Sequence, residues 1–114
     1  MAQEPESTSA TRDLMRLSAV EILGAHATDL MTAAAVKLGL FEGTEEEQDL
    51  AEARILIEAL AGLINSAAPH LGHHHAAPLR DGLSTLQTAF REAQEFPDPL
   101  GEGPGEDQTR KRRA

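Results

Sequence analysis

Between Asp13 and Leu38 apolar side chains recur in steps of three and four. Val20, Leu23, Ala27, Leu30 and Ala34 form one stripe, flanked by Ala19 and Ala33 on one side and Met31 and Leu38 on the other. That spacing predicts an amphipathic helix. Ser9 or Thr11 would cap its start, Lys37 suits the negative end of its dipole, and Gly39 can take the left-handed capping conformation just beyond. A helix of about 26 residues would run about 40 Å at 1.5 Å per residue, more than one partner helix of this chain can cover. Its apolar width therefore predicts self-association through this first helix, as a homodimer or small homo-oligomer.

The second pattern starts at Asp49. Asp49 followed by Glu52 is an acidic variant of the capping box. Behind it, Ala53, Leu56, Leu60, Leu63 and Ala67 alternate by three and four, with Leu50, Ile57 and Ile64 one column beside them. A helix is expected from Leu50 to Ala68, ended by Pro69 because its ring disfavours helical geometry in the preceding residue. His70 to Ala77 then reads as a loop. Pro78, at a first helical position, opens a third helix whose stripe is Leu79, Leu83, Leu86, Phe90 and Ala93, with Arg80, Asp81, Gln87, Arg91 and Gln94 outward. Pro97 closes it.

No strand-type alternation or internal repeat interrupts these three segments, so the expected fold is all-α: a three-helix up-down-up bundle with a long first helix. Residues 1–12 have the Ser, Thr, Glu and Pro content of a disordered arm, residues 13–96 form the helical domain, and residues 97–114, rich in Pro, Gly and charge, read as a disordered tail. Leu23, Leu30, Leu56, Leu60, Leu63, Leu83, Leu86 and Phe90 are the expected core. With only Phe41, Phe90 and Phe96 aromatic, burial must come from many Leu, Ile and Ala contacts. Between the first two helices, Glu42 to Asp49 holds five acids in eight residues and reads as a solvated linker.

Composition narrows the function classes. The chain lacks cysteine, which removes disulfides, thiolate metal sites and cysteine nucleophiles and fits a reducing compartment. No secretory pattern precedes the first helix, and the longest uncharged run, Ala59 to Leu79, contains two prolines and cannot span a bilayer; a cytoplasmic protein without membrane contact is expected. The net charge is −9. Four acids and four bases cancel within residues 97–114, so the body carries the whole deficit and opposes generic binding to phosphate backbones.

Residues able to carry chemistry are few. His70, His73, His74 and His75 are the one cluster with metal-ligand character, but no H-E-x-x-H spacing accompanies them, and a polar loop at a helix C-terminus accounts for them. The alternative reading is a metal-binding protein or enzyme built on this histidine loop. His26 and Asp29 sit one turn apart, as a general-base pair would, but also as a histidine edging a core would. Gly24 and Gly62 interrupt good helices and suggest close helix crossings. Arg110, Lys111, Arg112 and Arg113 make a compact basic end, the one segment suited to nucleic-acid contact. The balance favours a non-catalytic interaction module that needs no cofactor.

Taken in order, LGLFEG, the acidic linker, DLAEARILIEALAGLI and APLRDGLSTLQTAFREA resemble the bacterial family called domain of unknown function eighteen-forty-four, in its actinobacterial style. The resemblance spans roughly Leu17 to Ala93. Its most specific part is Asp49-Leu50-Ala51-Glu52-Ala53-Arg54 with Ile57-Glu58-Ala59-Leu60, similar to the family's acidic-start helix. The resemblance implies a small, helical, cytoplasmic protein, and a gene neighbourhood of a translation initiation factor and ribosomal proteins. It thereby points to a protein partner in the translation apparatus. It supplies no catalytic residues, and the histidine segment departs from the family's usual polar, often acidic loop.

Overall fold

The structure, a computed structural model, describes residues 14–108. The expected arm over residues 1–12 and the basic run Arg110 to Arg113 lie outside the described residues.

The first long helix, α1, spans Ala19–Lys37. It starts later than the periodicity suggests, because Ser18 caps it. The Glu21 N–H donates to Ser18 Oγ at 3.1 Å while the Ser18 N–H donates to Glu21 Oε1 at 2.9 Å, a reciprocal box that satisfies two donors at once. Residues 14–16 are helical before that break, and Ser9 and Thr11 lie outside the described residues. At 19 residues it is about 28 Å long. Its far end follows expectation: Lys37 occupies the last turn and Gly39 has φ +75°. The Gly39 N–H reaches the Val36 carbonyl and the Leu40 N–H the Ala35 carbonyl. These two bonds define a Schellman motif, which needs the left-handed residue that glycine supplies without strain.

The acidic linker folds back on that end. It contains a short 3₁₀ turn, Glu45–Glu47. Gln48 Nε2 donates to the Leu38 carbonyl at 3.1 Å and the Asp49 N–H to the Lys37 carbonyl at 2.7 Å. Helix α2, Leu50–Leu71, begins where expected, with Asp49 accepting the Glu52 N–H at 3.1 Å. It does not end at Ala68. It continues through Pro69, and a single residue, Gly72, separates it from α3, His73–Ala93.

The expected histidine loop is therefore absent. His70 lies in the last turn of α2, and His73, His74 and His75 form the first turn of α3, with Pro78 inside that helix. Each proline withholds one backbone donor. Against that stands the burial of Leu71 and Ala76, which helical extension to both sides of Gly72 brings into the core.

All three helices pack on one another in the up-down-up order. The start of α2 is bonded to the end of α1, and Arg54 near the start of α2 lies over the Phe90 ring near the end of α3, 5.0 Å from its centroid. Met31 of α1 packs at Gly82 in the middle of α3. Leu60, Leu83, Leu86 and Phe90 are buried as expected, and Ile57 is fully enclosed. The buried face of α2 is turned from the expected stripe: it centres on Ile57, Leu60 and Ile64, while Leu56 and Leu63 are only half-buried. Leu23 and Leu30 on α1 are likewise half-buried, and the fully buried positions of α1 are the small residues Ala27 and Ala34.

Of the segment read as a tail, residues 97–108 lie across α2 and α3 as a strap. Pro104 is fully buried, and Gly103 and Gly105 are enclosed with it. Composition suggests no fold here because the strap has hardly any regular structure of its own. What orders it is a set of contacts to distant residues.

Candidate interaction surface

The histidines do not converge. All four are exposed, and His74 and His75 meet edge to face at 5.4 Å. Among the described residues no group of three or more His, Cys, Asp or Glu side chains could hold a metal ion. His26 and Asp29 are both exposed on α1. Of the two glycines expected at helix crossings, a Cβ on Gly24 would meet nothing within 4 Å, and one on Gly62 would meet only the Gln108 side chain. The close crossing belongs to Gly82, against which Met31 Sδ sits so tightly that an added Cβ would overlap it. An open depression of about 440 Å³ lies between Leu40 and the α3 residues Ser84, Thr85, Thr88, Ala89 and Glu92. The Thr85 hydroxyl already donates to the Asp81 carbonyl at 3.0 Å, and no acid–base pair faces the space.

Two surfaces have more content. On α1, Leu23 and Leu30 are seven residues apart, and on α2 so are Leu56 and Leu63; about two turns separate the members of each pair, so each pair lies on one face. At about 100° per residue, Leu23 and Leu30 lie on one side of the Ala27–Ala34 line and Met31, which faces α3, on the other. On α2 the same count puts Leu56 and Leu63 opposite to Arg54 and Ala61, which face α3 and the strap. The four leucines thus share the α1/α2 seam. All four are half-buried, and exposed Ala19, His26 and Ala59 rim them.

The second surface is the α2/α3 channel beneath the strap. Arg54 Nη2 donates to Asp98 Oδ2 at 2.8 Å, and Gln94 Nε2 donates to the same oxygen at 3.1 Å. The Arg54 hydrogen bond, aided by that from Gln94 and by the nearby Arg91 charge, holds the Asp98 carboxyl below its ordinary value. Arg91 grips the Glu106 carboxylate with Nη2 at 2.9 and 3.2 Å, and its Nη1 donates to the Asp98 carbonyl. The Gly101 N–H also donates to Glu106, at 2.8 Å, and Gln87 Nε2 donates to the Pro104 carbonyl at 3.0 Å. Gly105 has φ +75°, and a Cβ there would stand 2.6 Å from the Ala61 Cβ. The sequence marks Gln87 and Arg91 as outward-facing. They do point away from the core, but their partners lie 17 and 15 residues on, a separation that periodicity does not register.

Among the described residues no helix is long and apolar enough to cross a membrane, and no buried side-chain polar atom lacks a hydrogen-bond partner. A family model described as Domain of unknown function (DUF1844) matches residues 20–92. No curated protein and no solved structure matches the chain.

Proposed function

Since the chain belongs to the family described as Domain of unknown function (DUF1844), we propose that it is a non-catalytic interaction module that self-associates through α1, completed by the neighbouring face of α2. The observation that carries this reading is the half-buried leucine seam of Leu23, Leu30, Leu56 and Leu63. Two such seams related by a two-fold axis would bury eight leucines between four helices, the geometry of an antiparallel bundle. The net charge of −9 opposes this at long range, but screening at physiological salt reaches about 8 Å, so association should strengthen as salt rises.

Sedimentation equilibrium over a concentration series tests the proposal. A dimer that becomes a folded monomer when all four leucines are replaced by glutamine supports it. A wild-type monomer up to the solubility limit, at low and high salt, overturns it.

We place the module in the cytoplasm, with a protein partner in the translation apparatus; the support is the gene neighbourhood that the resemblance implies. Gradient sedimentation of a cell lysate, with immunodetection across fractions, tests this. Co-migration with a ribosomal subunit supports it, and confinement to the top of the gradient at both low and moderate salt removes it.

A further inference from the structure

The chain is acidic, with a net charge of −9, yet two of its guanidinium groups, Arg54 and Arg91, converge on the α2/α3 channel. Gln87 adds an amide donor, and Ala61 makes a floor low enough for a backbone to rest on. The strap that lies there is held as a bound peptide is held. Its two carboxylates, Asp98 and Glu106, each meet a guanidinium. Its Pro104 carbonyl meets the amide, and Gly105 brings backbone against Ala61 where a side chain would collide. Its large apolar residues take no part in the seat: Phe96 and Leu100 are 83% and 87% exposed. Both ion pairs remain partly open to water, with side-chain exposures of 34% and 25% for one and 28% and 19% for the other, and pairs so exposed contribute little to stability. The charged contacts of the seat are thus weak, and what the strap buries in it is Pro104 with Gly103 and Gly105.

We propose that this channel is a docking site for an acidic, proline- and glycine-containing segment of a partner protein, and that residues 98–106 occupy it in cis as a tethered competitor. The tether gives the strap a high effective concentration. A second copy of this chain would bring the same segment and no additional contact, so it loses to the tether. A partner segment wins by keeping the two carboxylates, the buried proline and the close glycine and by adding contacts of its own outside the channel. Its binding displaces residues 98–106 from the channel. This site is separate from the leucine seam, and its test does not depend on self-association.

The probe is a fluorescein-labelled peptide of residues 96–108, followed by anisotropy against full-length proteins. D98R/E106R reverses the charges on the strap and leaves the channel intact. This variant should bind the peptide at least tenfold more tightly than wild type, and adding R91E should abolish the gain. Rising salt should weaken the binding, and a peptide carrying Lys at the two acidic positions should not bind. Should D98R/E106R fail to give a cooperative melt, G105V opens the channel by steric exclusion with every charge retained. Equal affinity for wild type and the opened variant overturns the proposal, as does a folded, opened variant that binds no peptide. A wild-type dimer lost in D98R/E106R and regained on mixing that variant with R54E/R91E makes a second copy the occupant, and overturns it too.

Discussion

Gly24 and Gly82 both lie inside long helices, and replacing either with alanine changes the same intrinsic term. Alanine is favoured over glycine by about 1 kcal/mol in a helix interior, so propensity alone makes both variants equally more stable. The packing separates them. A Cβ at Gly24 meets nothing within 4 Å, whereas one at Gly82 runs into Met31 Sδ. Gly24→Ala should therefore gain about 1 kcal/mol, or about 4–8 °C in Tm for a domain of this size. Gly82→Ala must displace the flexible end of the half-buried Met31 side chain, and that rearrangement offsets the propensity gain, so its stabilisation should fall short of that of Gly24→Ala. Urea titrations followed at 222 nm, at one protein concentration throughout, give both values. Shortening the obstacle should recover the difference: in the Met31→Ala background, Gly82→Ala should be stabilising by about as much as Gly24→Ala. If Gly82→Ala in the wild-type background gains as much as Gly24→Ala, Met31 does not close the space over Gly82, and the packing reason for separating the two glycines fails.

Three further outcomes follow from the same contacts. Leu60 is fully enclosed, so Leu60→Ala should cost about 2–5 kcal/mol by chemical denaturation; a change below about 1 kcal/mol would place it outside the core. Ser18→Ala removes the acceptor that caps α1 and should cost about 1 kcal/mol, with amide exchange accelerated in the first turn of α1 and unchanged in α3. The Asp98 carboxyl is held below its ordinary value by Arg54, so the folded state prefers it ionised. Its contribution is complete above the unfolded value of about 4 and is lost as pH falls through the lower folded value. The Asp98 side-chain and amide resonances should report loss of the Arg54–Asp98 pair below about pH 4 while helicity at 222 nm persists, and a carboxyl that titrates at its ordinary value would show that Arg54 does not hold it.

The helices were legible where their information is local. Asp49 with Glu52 marks the start of α2, Lys37 and Gly39 mark the end of α1, and the stripe Leu79, Leu83, Leu86 and Phe90 gives the buried face of α3, because caps and periodicity are properties of a few consecutive residues. The errors came where two local signals competed. Ser18 with Glu21 starts α1, because the acid at the third helical position returns the bond that the serine accepts. Pro69 and Pro78 are helix breakers by their own chemistry, and the helices pass through both because Leu71 and Ala76 gain burial only if they do. The histidine cluster lost its loop for that reason, and its members are divided between the end of α2 and the start of α3.

The sequence by itself thus determined an all-α protein of three amphipathic helices, their approximate bounds and a core of leucine, isoleucine and alanine, since each follows from the 3.6-residue period and its terminal chemistry. Only the tertiary structure decided which leucines the core consumes and which remain on the α1/α2 seam. Packing small Ala27 and Ala34 inward turns the larger neighbours toward the surface, and that choice depends on what the other helices present. Only the tertiary structure could order the strap, because its two carboxylates are held by Arg54 and Arg91, 44 and 15 residues away in the chain, and no pattern within the strap encodes a partner at that distance.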